Sequence, residues 1–143
     1  MCCYDNIFGE IIKGKLIPIN GLYLGSKRMC EFKLRRLMEF FNVEFAQLYF
    51  VKKIKKFSDG STKKEGGFYL LYRGDNSSVD FPVINDIIVI NHTHPSGSRY
   101  PSGIDMRTLK RLENLGSLQK SASIIPNGSP SFRYNKQGPI KKT

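Results

Sequence analysis

Between Asp86 and Gly116 the sequence changes period, and that change limits what the chain can become. "DIIVI" (Asp86 to Ile90) is a short apolar run that reads as a buried strand, and "NHTH" carries it into polar residues. Pro95 then ends the ladder and Gly97 lets the chain turn. From Ser102 the pattern is helical: "SGIDMRTLKRLENLG", with Gly116 near its stop. A buried strand that feeds a helix through a short loop needs a sheet around it and helices to cover that sheet.

The flanking segments supply both. Cys30, Leu34, Leu37, Met38 and Phe41 form one helical stripe, with Ser26 as the expected N-cap and Asn42 as the end. "VEFAQLYFVKKIKKF" and "GFYLLYRG" read as strands around a turn region, and "SASIIP" with "SFRYNK" as a final hairpin. The order β-α-β-β-β-α-β-β predicts a single α/β domain over 1–143, a mixed sheet flanked by helices. Its expected parts are N-terminal strands at 1–25, a helix at 26–42, strands at 43–95, a helix at 102–116 and a hairpin at 121–136. The Arg73-Gly74-Asp75 tripeptide in the loop before the apolar strand is read as chance.

The only two histidines of the chain, His92 and His94, close that strand. Residues i and i+2 of a strand share a face, with Cα atoms roughly 6.6–7 Å apart, so the two imidazoles project side by side. Two such rings can converge on one metal ion, whose bonds to nitrogen are about 2.0–2.1 Å. Asp105, at the start of the following helix, can supply a carboxylate as third ligand. Two histidines, a carboxylate and an open position describe a catalytic zinc site. Ser102-x-x-Asp105 also has the form of a capping box. Both roles are compatible, with one carboxylate oxygen toward the metal and the other toward the helix-start amides.

The string "HTHPSGSRYPSGIDMRTLKRLENLGSL" resembles the JAMM metallopeptidases, the active MPN or JAB domains. Their signature is His-x-His-Pro, seven residues between the second His and a Ser, then Ser-x-x-Asp; here it falls on His92, His94, Pro95, Ser102 and Asp105. The His-Pro-Ser-Gly and Pro-Ser elements are most similar to the RadC-type branch. The resemblance implies a JAB/MPN-like (cytidine-deaminase-like) fold, with Zn2+ held by His92, His94 and Asp105. It also implies a glutamate at the start of the strand after the first long helix, taking the proton of the attacking water. Glu44 stands there and Glu10 is the second choice. Ser102 corresponds to the serine that donates to the oxyanion. The activity implied is hydrolysis of an amide bond in a protein or peptide, including the isopeptide bond of a ubiquitin-like tail. The insertions that hold ubiquitin in eukaryotic members are missing, as is the N-terminal helical region of full RadC proteins.

Other features bound the alternatives. Three cysteines (Cys2, Cys3 and Cys30) are not a disulfide framework, and Cys2 and Cys3 are read as free thiols. No secretory leader or membrane-spanning run is visible, so a cytoplasmic protein is expected. The net charge of +11 favours acidic partners, nucleic acid among them. Lysine without interleaved arginine and aromatic residues is a poor nucleic-acid signature, so a solvated lysine-rich hairpin is the preferred reading. A zinc deaminase is excluded: it needs His-x-Glu and a downstream Cys pair, and no cysteine follows position 30. The remaining rivals are an inactive JAB scaffold, a nucleic-acid-associated role without peptidase activity, and a toxin module.

Overall fold

The structure, a computed structural model, describes residues 21–51, 53–65, 67–84, 86–117 and 119–140. Cys2, Cys3, Glu10 and the strands expected before position 21 lie outside the described residues. The protein is α/β. Seven strands form one mixed sheet in the order β1 (Leu22–Gly25), β5 (Phe68–Arg73), β2 (Phe45–Phe50), β6 (Ile87–His94), β7 (Ser121–Pro126), β8 (Phe132–Asn135) and β9 (Gly138–Pro139). β3 (Lys53–Lys56) and β4 (Thr62–Glu65) form a separate antiparallel ribbon. Among the described residues there are two helices, α1 (Glu31–Phe41) and α2 (Gly103–Asn114). No helix among them is long and apolar enough to cross a membrane.

β6 and β7 pair in parallel and the other pairings are antiparallel. A parallel neighbour needs a crossover, and α2 provides it. The two faces of the sheet carry separate cores. Leu34, Leu37 and Met38 of α1 pack on Phe45, Leu71 and Ile125. Leu109 and Leu112 of α2 pack with Ala46, Leu48, Ile87, Val89 and Ile124.

α1 starts at Glu31, later than the Ser26 cap that its stripe suggests. The side chain of Gln47 is the physical reason. Its Oε1 accepts from the Met29 N–H at 2.6 Å and its Nε2 donates to the Met29 C=O at 3.1 Å. Those backbone groups are therefore not free to begin the helix. Cys30 takes the N-cap position with extended backbone and no side-chain cap bond. It is disulfide-bonded, a bond that an odd, low cysteine count does not lead one to expect. Asn42 ends α1 in the left-handed region (φ 54°), which asparagine tolerates better than most side chains.

A bulge in β6 decides where the histidines point. Leu48 pairs with Val89, but the next residue, Gln47, pairs with Asn91, so Ile90 is an extra residue in the ladder. Val89 and His92 are three apart and would face opposite ways in an unbroken strand. The extra residue restores the parity. His92 pairs with Ala46 and with Ile124, both on the α2 face. One strand thus buries Ile87 and Val89 and presents both histidines on the same side.

Candidate metal centre

Four of the expected site residues meet at the end of β6. His92, His94 and Glu44 are 4%, 6% and 7% exposed, and form a buried group whose ligand atoms lie within 4.8 Å of one another. This group can hold a metal ion. Asp105 completes it from the first turn of α2. The two Nε2 atoms are 3.1 Å apart, and Asp105 Oδ2 is 3.2 Å from each.

That triangle fits a cation. Ligands about 2.0–2.1 Å from a tetrahedral ion sit roughly 3.3 Å from each other. It does not fit three neutral hydrogen-bond partners equally well. His94 Nδ1 lies 3.1 Å from the Ser98 carbonyl, which can only accept, so that nitrogen carries the proton. In the neutral ring the Nε2 lone pair then faces a carboxylate. A positive charge in the triangle, a metal ion or an added proton, resolves the conflict. The contact to Ser98 is also the kind of outer support that fixes the tautomer of a ligating histidine.

The charges respond to this geometry. Burial works against ionised Asp105, but the contacts to His92 and His94 outweigh it and hold its carboxyl far below the usual range. Burial lowers the proton affinity of His94, yet its bonds to Asp105 and Ser98 and the charges of Asp105 and Glu44 leave it raised overall. Glu44 goes the other way. Burial pushes its carboxyl up to about 7, with His94 pulling down and Asp105 and Asp75 pushing up. This holds for the ion-free protein, and a cation in the triangle would lower the proton affinity of Glu44. Of the two acidic side chains, Asp105 has an oxygen in contact with both imidazoles, and Glu44 belongs to the buried group that could hold an ion.

Ser102 caps α2. Its Oγ accepts from the Asp105 N–H at 3.0 Å, and Asp105 Oδ2 accepts from the Ser102 N–H at 2.8 Å. The capping box and the histidine contacts therefore share one carboxylate oxygen, which corrects the expectation of one oxygen for each duty. Cap bonding engages a lone pair of Ser102 Oγ and leaves its O–H to donate elsewhere. Among the described residues Glu44 is the glutamate found at the centre, and Glu10 lies outside them.

Neighbours that the sequence did not single out hold the site. Glu44 N–H donates to the Asp75 carbonyl at 2.7 Å, and Gly74 N–H to the Glu44 carbonyl at 2.8 Å. Asp75 Oδ1 accepts from the Ser77 and Ser78 N–H groups, closing the loop beside Glu44. A Cβ on Gly74 would meet the Ser78 carbonyl, so the loop closes tightly there because position 74 is glycine. The buried ring of Tyr134 stands edge-on to His92 at 5.9 Å. From the centre a groove of about 520 Å³ runs past Ser77, Ser102, Val79, Phe81, Val83 and Leu109. Its lining combines the metal-binding groups and serines with apolar side chains from the loop before β6 and from α2. Compared with known proteins, the chain matches no family model, no curated protein and no solved structure.

Proposed function

We propose that the protein is a JAMM-type zinc metallopeptidase that hydrolyses an amide bond in a protein or peptide, including the isopeptide bond of a ubiquitin-like tail. The observation that carries this is the triangle of two Nε2 atoms and one carboxylate oxygen at 3.1–3.2 Å, with the buried Glu44 carboxyl beside it. His92, His94 and Asp105 would hold the ion. A zinc ion so held supplies a water acidified to a pKa near 7.

The side chains divide the remaining work. Glu44, its buried carboxyl beside the two histidines, accepts the proton of the attacking water and returns it to the leaving amine. The free O–H of Ser102 donates to the carbonyl oxygen as it gains negative charge. Ser98 keeps His94 in one tautomer. The groove seats an extended peptide, with its lining serines available to the scissile amide and Val79, Phe81, Val83 and Leu109 to neighbouring side chains. Packing against Val79, Phe81 and Leu109 also keeps bulk water from the amide.

The deciding experiment is metal content by mass spectrometry on purified protein and on His94→Ala, Asp105→Ala and Glu44→Gln. About one zinc per chain is expected, lost from the first two variants and kept in the third. Hydrolysis of peptide and isopeptide substrates by the parent and not by Glu44→Gln completes the test. Zinc bound without any hydrolysis points instead to a scaffold role. No zinc even after reconstitution removes the metallopeptidase reading and leaves the basic surface as the better lead to function.

A further inference from the structure

Thr93 lies between the two histidines on the opposite face of β6 and is fully buried (0% exposed). Its side chain crosses to β2. Oγ1 accepts from the Phe45 N–H at 2.8 Å and donates to the Val43 carbonyl at 3.5 Å. Those two backbone groups flank Glu44. The register of β2 on β6 stops at Ala46 with His92, so the hydroxyl takes over where paired backbone ends. On the other side of the strand, Asp75 and Gly74 hold the Glu44 peptide through backbone bonds.

We propose that Thr93 is a positioning residue that fixes the Glu44 carboxylate relative to His92 and His94. The inference rests on the reading of Glu44 as the proton-handling group. Its physical basis is the shortness of the link. Thr93 is covalently adjacent to both histidines, and its hydroxyl grips the residues adjacent to Glu44. The paired register of β6 with β2 starts at Ala46. Without the hydroxyl, the buried Phe45 N–H has no partner there, and the segment is free to shift toward one. A misplacement of about 1 Å at a reacting group can lower a rate by about a hundredfold.

The test compares zinc-loaded Thr93→Val, which keeps the shape and removes the hydroxyl, with Thr93→Ser, which keeps the hydroxyl. Crystal structures are expected to show the Glu44 carboxylate displaced by roughly 1 Å in the valine variant and restored in the serine variant. Zinc content is expected to stay near one per chain in both, because His92, His94 and Asp105 do not depend on Val43 or Phe45. With an amide substrate, kcat is expected to fall about 10- to 100-fold in Thr93→Val with KM within about twofold, and to return in Thr93→Ser. Should the valine variant not fold, Thr93→Cys carries the same comparison with a poor acceptor. An unmoved carboxylate overturns the proposal, as does a loss of zinc that parallels the loss of rate. A carboxylate that moves with no change in rate upholds the positioning role and removes Glu44 from proton transfer, so the two failures are distinct.

Discussion

A carboxyl group as buried as that of Glu44 has lost most of its hydration, and the cost falls on its charged form. The sign of the consequence follows from the shift. In the metal-free protein the folded group titrates at about 7, against an ordinary 4.5. Between those values the native state holds a proton that the unfolded chain has released. The favourable contribution is complete below pH 4.5 and is lost as pH rises through 7. His94, also raised, acts in the same direction at its upper edge. Glutamine mimics the protonated form. Glu44→Gln is therefore expected to flatten the loss of stability between pH 5 and 8, and to be about 1–2 kcal/mol more stable than the parent at pH 8 after allowance for solvent screening. Urea unfolding of chelator-treated protein at several pH values measures this. Parallel pH profiles for the two proteins would mean that Glu44 is not held in its burdened state.

At the level of elements, the strand–loop–helix unit does two jobs with the same atoms. The Ser102–Asp105 box starts α2 and also brings the carboxylate to the histidines. The jobs separate on substitution. Ser102→Ala removes both the cap and the hydroxyl donor, and is expected to lower stability by about 1 kcal/mol. Ser102→Gly keeps most of the capping preference, so it is expected to lose only a few tenths of a kcal/mol. Both are expected to lower kcat about 10²- to 10³-fold if the hydroxyl serves the oxyanion. A glycine variant with full activity would restrict Ser102 to capping. These elements were legible because their signals are local: a proline and a glycine after an apolar run, and a serine three residues before an aspartate. Other features depend on distant partners. The Ile90 bulge is seen only when β2 is laid beside β6, and it alone puts Val89 and His92 on one face. The late start of α1 is imposed by Gln47, which a sequence pattern reads as one more strand residue. Thr93 looks like a spacer between histidines until its hydroxyl is found on β2.

For the whole molecule, the centre lies where three elements converge: Glu44 immediately before β2, the histidines from β6 and Asp105 from α2. The hydrophobic contacts of α2 with the sheet run through Leu109 and Leu112, both toward its C-terminal half. Its N-terminal turn is tied to β6 by Asp105. A metal ion in the triangle would fasten that turn to the sheet, so binding and the stability of α2 are linked. Free zinc at about a thousand times its dissociation constant adds about 4 kcal/mol to the native state. For a domain of this length each kcal/mol is worth roughly 2.5–5 °C, so a rise in Tm on the order of 10–20 °C is expected. Asp105→Ala is expected to show little of it. Hydrogen exchange distinguishes this link from general stabilisation. Under local-opening conditions, zinc is expected to slow the amides of the first turns of α2 by more than those of Leu34–Met38 in α1, whose packing on the other core does not pass through the centre. Equal slowing in the two helices would mean that α2 is already fixed without metal, and that the ion is held by a site formed in full before it binds.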